Sequence, residues 1–418
     1  MSFYSQYVNI RYLEAESHNP NYRTEFKLPN NIYAYPNLRL VNVGLSGAAG
    51  SLNRIGAVAL IKHIYLYSDR ELIDSVRYLN QWHSFNQLTE SNQANHGVNK
   101  YLERSRIGYV ITQNEQLESN DDVNAVDAQG DKTKGGSAYI ALSKIFNILQ
   151  KDNMILDTSK FPNLRVVVEW ETAKLKYLGS GTNNNFTITQ PTLVYDEISD
   201  PNIGAGLSKM MENMTFSSIE HDSIDAPSIT AQADGFKQSL DKKLKGFDNK
   251  VITRLLVSKN YLNVNLAEGG GNSINGKGFF RSPVQYLEAV NIKVNGSPLF
   301  DENLKEEAVR QKMCANTWGA LNTAPYETML SNGLSHPAAQ ANFIGIPQDE
   351  NLIGMASYLG ARVEDRISDL EMHYERVKPS DNTAAIKKYA EHLTINVFAE
   401  VQKQIVLGKN GQFIVRYL

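Results

Sequence analysis

A single cysteine, Cys314, stands in 418 residues, so no intramolecular disulfide is possible and the fold does not depend on an oxidising compartment. Nor is there a run of about 18 apolar residues, the length that a membrane-spanning helix needs. Charge of one sign is not in excess: 42 Lys and Arg stand against 45 Asp and Glu, a formal net charge of −3. A protein whose main task is gripping nucleic acid carries a strong basic excess, and that class is set aside. The first residues, MSFYSQYVNIRYLEAESH, show neither the apolar stretch of a signal peptide nor the Arg-rich pattern of a transit peptide. The expectation is a soluble protein made inside the cell. With 42% hydrophobic and 21% charged residues the chain can bury a sizeable core, in two ordinary domains or one large one.

The pattern that is present has period two, the signature of strands. Val58, Leu60, Ile64 and Leu66 share a face that Lys62 interrupts. LRVVVEWE (164–171) is β-branched and aromatic, and in FTITQPTLVYDEI (186–198) Pro191 points to an edge or a bulge. Alternation returns at 290–294, 370–375 and 393–399, and QIVLGKNGQFIVRYL reads as a closing hairpin with positive φ at Asn410-Gly411. Helical pattern is scarce: one segment at about 75–92, another at 301–314 with Asp301 as N-cap and Leu304, Ala308 and Val309 on one face. Strands without helices between them make antiparallel sandwiches or barrels. The polar stretches 112–137 and 263–281 read as loops.

Residues 200–246 lack sustained alternation and read as a connection between two halves of similar size. The halves echo each other. IYLYSDRELID (64–74) and IKVNGSPLFD (292–301) both run strand, short turn, apolar pair, Asp, then a helical segment with a tryptophan, Trp82 or Trp318.

Motifs for chemistry fail on context. Gly271, Gly276 and Lys277 have the spacing of a phosphate-binding loop, but Gly278 stands where the magnesium ligand belongs and Pro283 argues against the helix that should follow. GLSGAAG (44–50) misses the nucleophile elbow because Ala48 replaces its last Gly, and GAG (204–206) reads as turn or linker. The eight histidines form no H-x-x-x-H pair, and one cysteine makes no thiolate cluster. His373 between Glu371 and Glu375 invites an acid/base role, yet on an alternating strand all three share a polar, solvated face. KKLK (242–245), bracketed by Asp241 and Asp248, reads as a solvated helix or linker face, and the sequons at Asn185, Asn213 and Asn295 carry little weight without a secretory signal. No catalytic, cofactor-binding or metal-ligating residue is assigned.

Four stretches together resemble double jelly-roll major capsid proteins of polinton-like viruses and virophages. They are GAVALIKHIYLYSDRELID (56–74), GGSAYIALSKIFNIL (135–149) followed by FPNLRVVVEWE (161–171), PTLVYDEI (191–198) and VNGSPLF (294–300). Their order and spacing carry the resemblance. It implies an all-β fold with few short helices, built as two antiparallel eight-stranded jelly-roll sandwiches. The expected division is an N-terminal arm at 1–20, a first roll at 21–200, a connecting segment at 201–246 and a second roll at 247–418. It further implies a non-enzymatic major capsid protein of the virion, without cofactor. Homotrimeric, pseudo-hexameric capsomers would tile an icosahedral shell beside penton and minor capsid proteins, with no sequence-specific nucleic acid and with inner-membrane contact left open. The rivals are a minor capsid protein of the same fold, a carbohydrate-binding or carbohydrate-hydrolysing β-sandwich with aromatic residues converging on one face, and a nucleotide-driven packaging enzyme resting only on residues 271–277.

Overall fold

The computed structural model describes residues 8–47, 51–52, 56–90, 138–151, 154–172, 178–180, 186–261, 288–318, 359–380, 390 and 392–418. The first half holds eight principal strands: β1 (Val8–Glu14), β2 (Arg23–Lys27), β3 (Arg39–Val43), β4 (Ile61–Ser68), β5 (Glu71–Arg77), β6 (Ala138–Ala141), β7 (Leu164–Trp170) and β8 (Thr192–Ile198). They pair antiparallel as two sheets, β1-β8-β3-β6 and β2-β7-β4-β5. The second half repeats this with β9 (Thr215–Ala226), β10 (Lys237–Lys243), β11 (Val251–Tyr261), β12 (Glu288–Val294), β13 (Ser297–Pro298), β14 (Leu359–Arg366), β15 (Leu370–Val377) and β16 (Leu393–Leu407). Its sheets run β9-β16-β11-β14 and β10-β15-β12-β13. Adding eight to every strand number of the first half reproduces the second. A last strand, β17 (Phe413–Tyr417), pairs with the end of β16.

Each sandwich exists because alternation gives its sheets one apolar face. On β15, Leu370, Met372, Tyr374 and Arg376 are buried, and the residues between them are half-buried. The echo between 64–74 and 292–301 is the same hairpin in each half, β4–β5 and β12–β13, with Asp69 and Asn295 at positive φ in the turns. Each hairpin leads into a helix, α1 (Leu79–Glu90) and α3 (Glu307–Trp318).

Several expectations shift. Strand β4 begins at Ile61, after a 3₁₀ turn over Gly56–Leu60, so Val58 and Leu60 are not on it; a register shift opposite Glu169 and Trp170, rather than an interrupted face, accounts for Lys62. Residues 75–77 belong to β5. Asp301 does not cap α3; it precedes a bridge between Leu304 and Val290, and the helix buries Arg310, Cys314 and Thr317 while leaving Val309 exposed. The closing hairpin has a loop over 408–412 in which Gly411, not Asn410, takes the positive φ; the Asn410 carboxamide accepts from the Gln412 N–H. Lys242 and Lys243 end β10 rather than lying on a helix.

The segment expected to connect the halves carries β9, β10 and a helix, α2 (Pro201–Lys209). Long alternation is missing from β9 because it is covered on both sides, and from β10 because it is mostly exposed. Residues 8–14 of the expected arm form β1, paired along its length with β8. Residues 204–206 lie within α2, whose N-terminus Asp200 caps by accepting from the Asn202 N–H at 2.8 Å, with Pro201 in the first turn.

Gly204 is needed there for close approach: a Cβ would sit 2.4 Å from the Tyr33 ring, whereas one on Gly206 would meet nothing within 4 Å. Gly204→Ala is expected to lose about 1–3 kcal/mol by overpacking, and Gly206→Ala to gain up to about 1 kcal/mol in a helix interior. Chemical unfolding of the two variants checks this; equal stabilities would contradict the packing.

Candidate functional site at the seam between the rolls

The residues that organise the molecule meet where α1 of the first roll lies on the second roll's β9-β16-β11-β14 sheet. On that sheet the row Asp222–Val397–Val257 faces the second roll, where Val397 and Val257 join its core. The next row, His221–Phe398–Leu256, faces outward, and its Phe398 and Leu256 join the apolar cluster of the first roll. On α1, Leu79, Trp82 and Phe85 recur at three-residue spacing and form the apolar face that meets it.

Aromatic contacts fill this seam. The Trp82 ring lies 5.6 Å from Phe398, and Trp82 and Trp318 meet edge to face at 5.3 Å. Phe85 meets Trp318 edge to face at 5.7 Å. The Arg254 guanidinium stacks 4.0 Å over Trp318 and its Nε donates to Glu400 at 2.5 Å. Burial pushes the Glu400 carboxyl up, but Arg254 and the Thr253 hydroxyl outweigh it and hold the group below the usual range. Helix α3 reaches the seam by crossing β14 at Gly360, where a Cβ would lie 2.8 Å from the Cys314 backbone.

Two polar assemblies flank the aromatics. In the first, His221 Nε2 is 2.9 Å from Asn396 Oδ1, and Asn396 Nδ2 donates to Gln81 Oε1 at 2.6 Å, tying the second roll's sheet to α1. Tyr78 packs on His221 at 4.5 Å and takes φ +52 at the corner into α1, its N–H donating to His63 Nδ1 at 2.9 Å. Burial lowers His221 to about 4 and His63 to about 3, so both rings are neutral near pH 7.

The second assembly centres on Asp74 of β5, which is 1% exposed. Its Oδ1 accepts from Ser218 Oγ at 2.5 Å and from the Ser75 N–H at 2.9 Å. Lys403 donates to Ser218 at 3.0 Å and pairs with Glu220 at 3.2 Å. Tyr417 donates to Glu220 at 2.6 Å, and Lys250 stacks 4.3 Å over the Tyr417 ring. Burial raises the Asp74 carboxyl to about 6, with Lys403 and Ser218 pulling the other way. The C-terminal hairpin closes the same end, with Phe413 5.1 Å from Phe161 and its N–H on Lys160 O at 2.8 Å.

A cleft of about 430 Å³ opens beside the aromatics, lined by Trp82, Asn147, Gln150, Arg254, Trp318 and Glu400 among others. One face of Trp318 is taken by Arg254 and the Trp82 ring packs on its neighbours, so the converging aromatics serve the seam rather than presenting a flat stacking platform. His373 lies where its strand placed it: Nδ1 is 2.7 Å from Asp241 and Nε2 3.2 Å from Glu375, while Glu371 pairs with Lys293, all on the polar face. Among the described residues no group of three or more His, Cys, Asp or Glu side chains is placed to hold a metal ion, and no helix is long and apolar enough to cross a membrane. Gly271, Gly276, Lys277, Asn185 and the stretches 112–137 and 263–281 lie outside the described residues. Asn295 braces its turn, its Oδ1 accepting from the Ser368 N–H at 2.7 Å. Nothing in the sequence marked Asp74, Ser218 or Lys403, which lie far apart in the chain; an isolated Asp after an apolar pair was the single trace.

Two eight-stranded rolls of one topology, fused in one chain and packed through this seam, make a double jelly roll. The same fold recurs in viral capsid proteins. PBCV-1 VP54, as fitted into a reconstruction of the virophage Sputnik, is similar at a TM-score of 0.63 and 12% identity, over 100% of this chain and 99% of that one. The Faustovirus major capsid protein is similar at 0.55 and 8% identity, over 94% of this chain and 89% of that one. A chain of the Sputnik virophage structure is similar at 0.53 and 9% identity, over 99% and 88%. No protein-family model and no curated protein matches the sequence. The double jelly-roll expectation therefore holds at the level of fold.

Protonating Asp74 relieves a buried charge. Its folded value lies above the ordinary carboxylate range, so the stability it contributes is full below about pH 4 and lost as pH rises through about 6, up to about 3 kcal/mol. Asp74→Asn is expected to match the wild type near pH 4 and to exceed it increasingly up to pH 7. Melting temperatures across that range, taken as the difference between the two proteins, cancel the histidines; a flat difference would contradict the assignment.

Proposed function

We propose that this chain is a viral major capsid protein, structural and non-enzymatic, whose copies form homotrimeric capsomers of pseudo-hexagonal outline in an icosahedral shell. The observation that carries the reading is the duplicated topology: β1–β8 and β9–β16 connect identically, and the whole fold is shared end to end with capsid proteins. Three such chains present six similar rolls, which suits a hexagonal lattice, and closed symmetry limits the capsomer. The division this supports is a first roll over 8–198, a link through α2 and a second roll over 215–407 that β17 extends. Near-neutral net charge fits a shell that does not itself condense a genome. Penton and minor capsid proteins are the further partners this reading calls for, and the virion is its location.

Size-exclusion chromatography with light scattering tests it. The expected mass is three times 46.8 kDa. A monomer at micromolar concentration that binds glycans would replace this reading with the carbohydrate-binding sandwich; a trimer present in few copies per purified particle would make it a minor capsid protein.

A further inference from the structure

The two 3₁₀ turns that follow β6, over Leu142–Lys144 and Asn147–Gln150, send their apolar residues into the first roll's core. Leu142, Phe146 and Ile148 are fully buried there. The polar residues beside them, Lys144, Asn147, Gln150 and Lys151, are left to line the cleft of about 430 Å³ next to the aromatic seam. The second roll supplies the other wall with Ser217, Arg254 and Glu400.

Charge on these walls is one-sided. Glu400 is the one carboxylate among the described residues of the lining, and Arg254, Thr253 and Ser217 already hold it. Lys144 and Lys151 add two further cations, and Lys151 is exposed and makes no ion pair among the described residues. Positive charge therefore gathers here in a chain whose net charge is −3. Between the walls, the bond that Asn147 Nδ2 donates to Ser217 Oγ is long, 3.4 Å, while Gln150 donates to Asn147 Oδ1 at 3.2 Å.

We propose that this cleft binds a small polyanion carrying two or more phosphate- or carboxylate-type groups, and that the bound anion bridges the two rolls. Its volume falls in the range of small-molecule sites, about 300–1,000 Å³, and exceeds what a single oxyanion fills. The lysines supply charge, and the carboxamides of Asn147 and Gln150 supply N–H donors that orient the anion. A flat neutral ring is not selected, because Arg254 occupies a face of Trp318. The site stands apart from the capsid reading, which neither supports it nor needs it.

Calorimetry and melting temperatures on the full chain test this, with tripolyphosphate, citrate, inorganic phosphate and maltose as probes. Tripolyphosphate or citrate should bind saturably and raise the melting temperature, because both walls belong to the folded state alone. Whichever binds tighter names the oxyanion; inorganic phosphate should bind more weakly and maltose not at all. Lys144→Gln/Lys151→Gln should weaken the tighter probe at least tenfold, whereas Lys209→Gln/Lys409→Gln, which removes two exposed lysines outside the cleft, should leave it within twofold. Lys151→Glu, a change at an exposed side chain, should weaken it as well and keeps the comparison valid if the double variant does not fold. The site is overturned if neither polyanion binds at millimolar concentration, if maltose binds as tightly, or if the two lysine pairs lose affinity equally. Each of these outcomes leaves the trimer measurement, and the reading it tests, untouched.

Discussion

Strand β16 has two apolar faces to cover, and its own roll can cover only one. Ile395, Val397, Ala399 and Val401 fill the second roll's core, while Phe398 and Asn396, between them, are also fully buried. An antiparallel sandwich normally leaves the outer face of each sheet to water. Here that face is apolar at its centre, so the second roll is incomplete without a neighbour, and α1 supplies one. The placement of α1, the φ +52 corner at Tyr78, the passage of α3 across β14 and the docking of the C-terminal hairpin all serve this one burial.

The two kinds of contact in the seam divide the work. A large aromatic side chain taken out of water contributes about 1.5–3 kcal/mol, and each well-placed aromatic pair adds about 0.5–1.5 kcal/mol. The buried charges around Asp74, Lys403 and Glu220 recover little, because desolvation offsets most of their attraction. The aromatics therefore hold the rolls together, and the directional bonds, Asn396 to Gln81 and Ser218 to Asp74, set the register in which they meet. Duplication of topology did not bring duplication of surface. One roll's sheet carries Phe398 and Leu256 where the other carries Val194 and Arg39, so the two outer faces differ in what they can bury.

Strand content was legible because alternation is a local property. The central strands β7 and β15 could be read straight from their residues, and the repeated hairpin betrayed the duplication through its short turn, apolar pair and Asp and through the paired tryptophans. Legibility failed where burial is two-sided or absent. Strand β9 loses its alternation under the first roll and β10 loses it to solvent, so both were absorbed into a connection; GAG in α2 looked like a turn because Gly204 answers to Tyr33, a residue 171 positions away. The seam was hidden for the same reason. Trp82 and Trp318 were each visible, but their 5.3 Å contact depends on how two whole rolls pack.

By itself, then, the sequence determined a disulfide-free, antiparallel β protein of two echoing halves, since composition and period act within a few residues. Only the tertiary structure decided that the halves share a single eight-strand topology, that Asp74 is forced toward neutrality, and that the outer face of the second roll's sheet is covered by the first roll. Those outcomes depend on which faces meet across long stretches of chain, and solvent exclusion at such a contact exists only once both partners are folded.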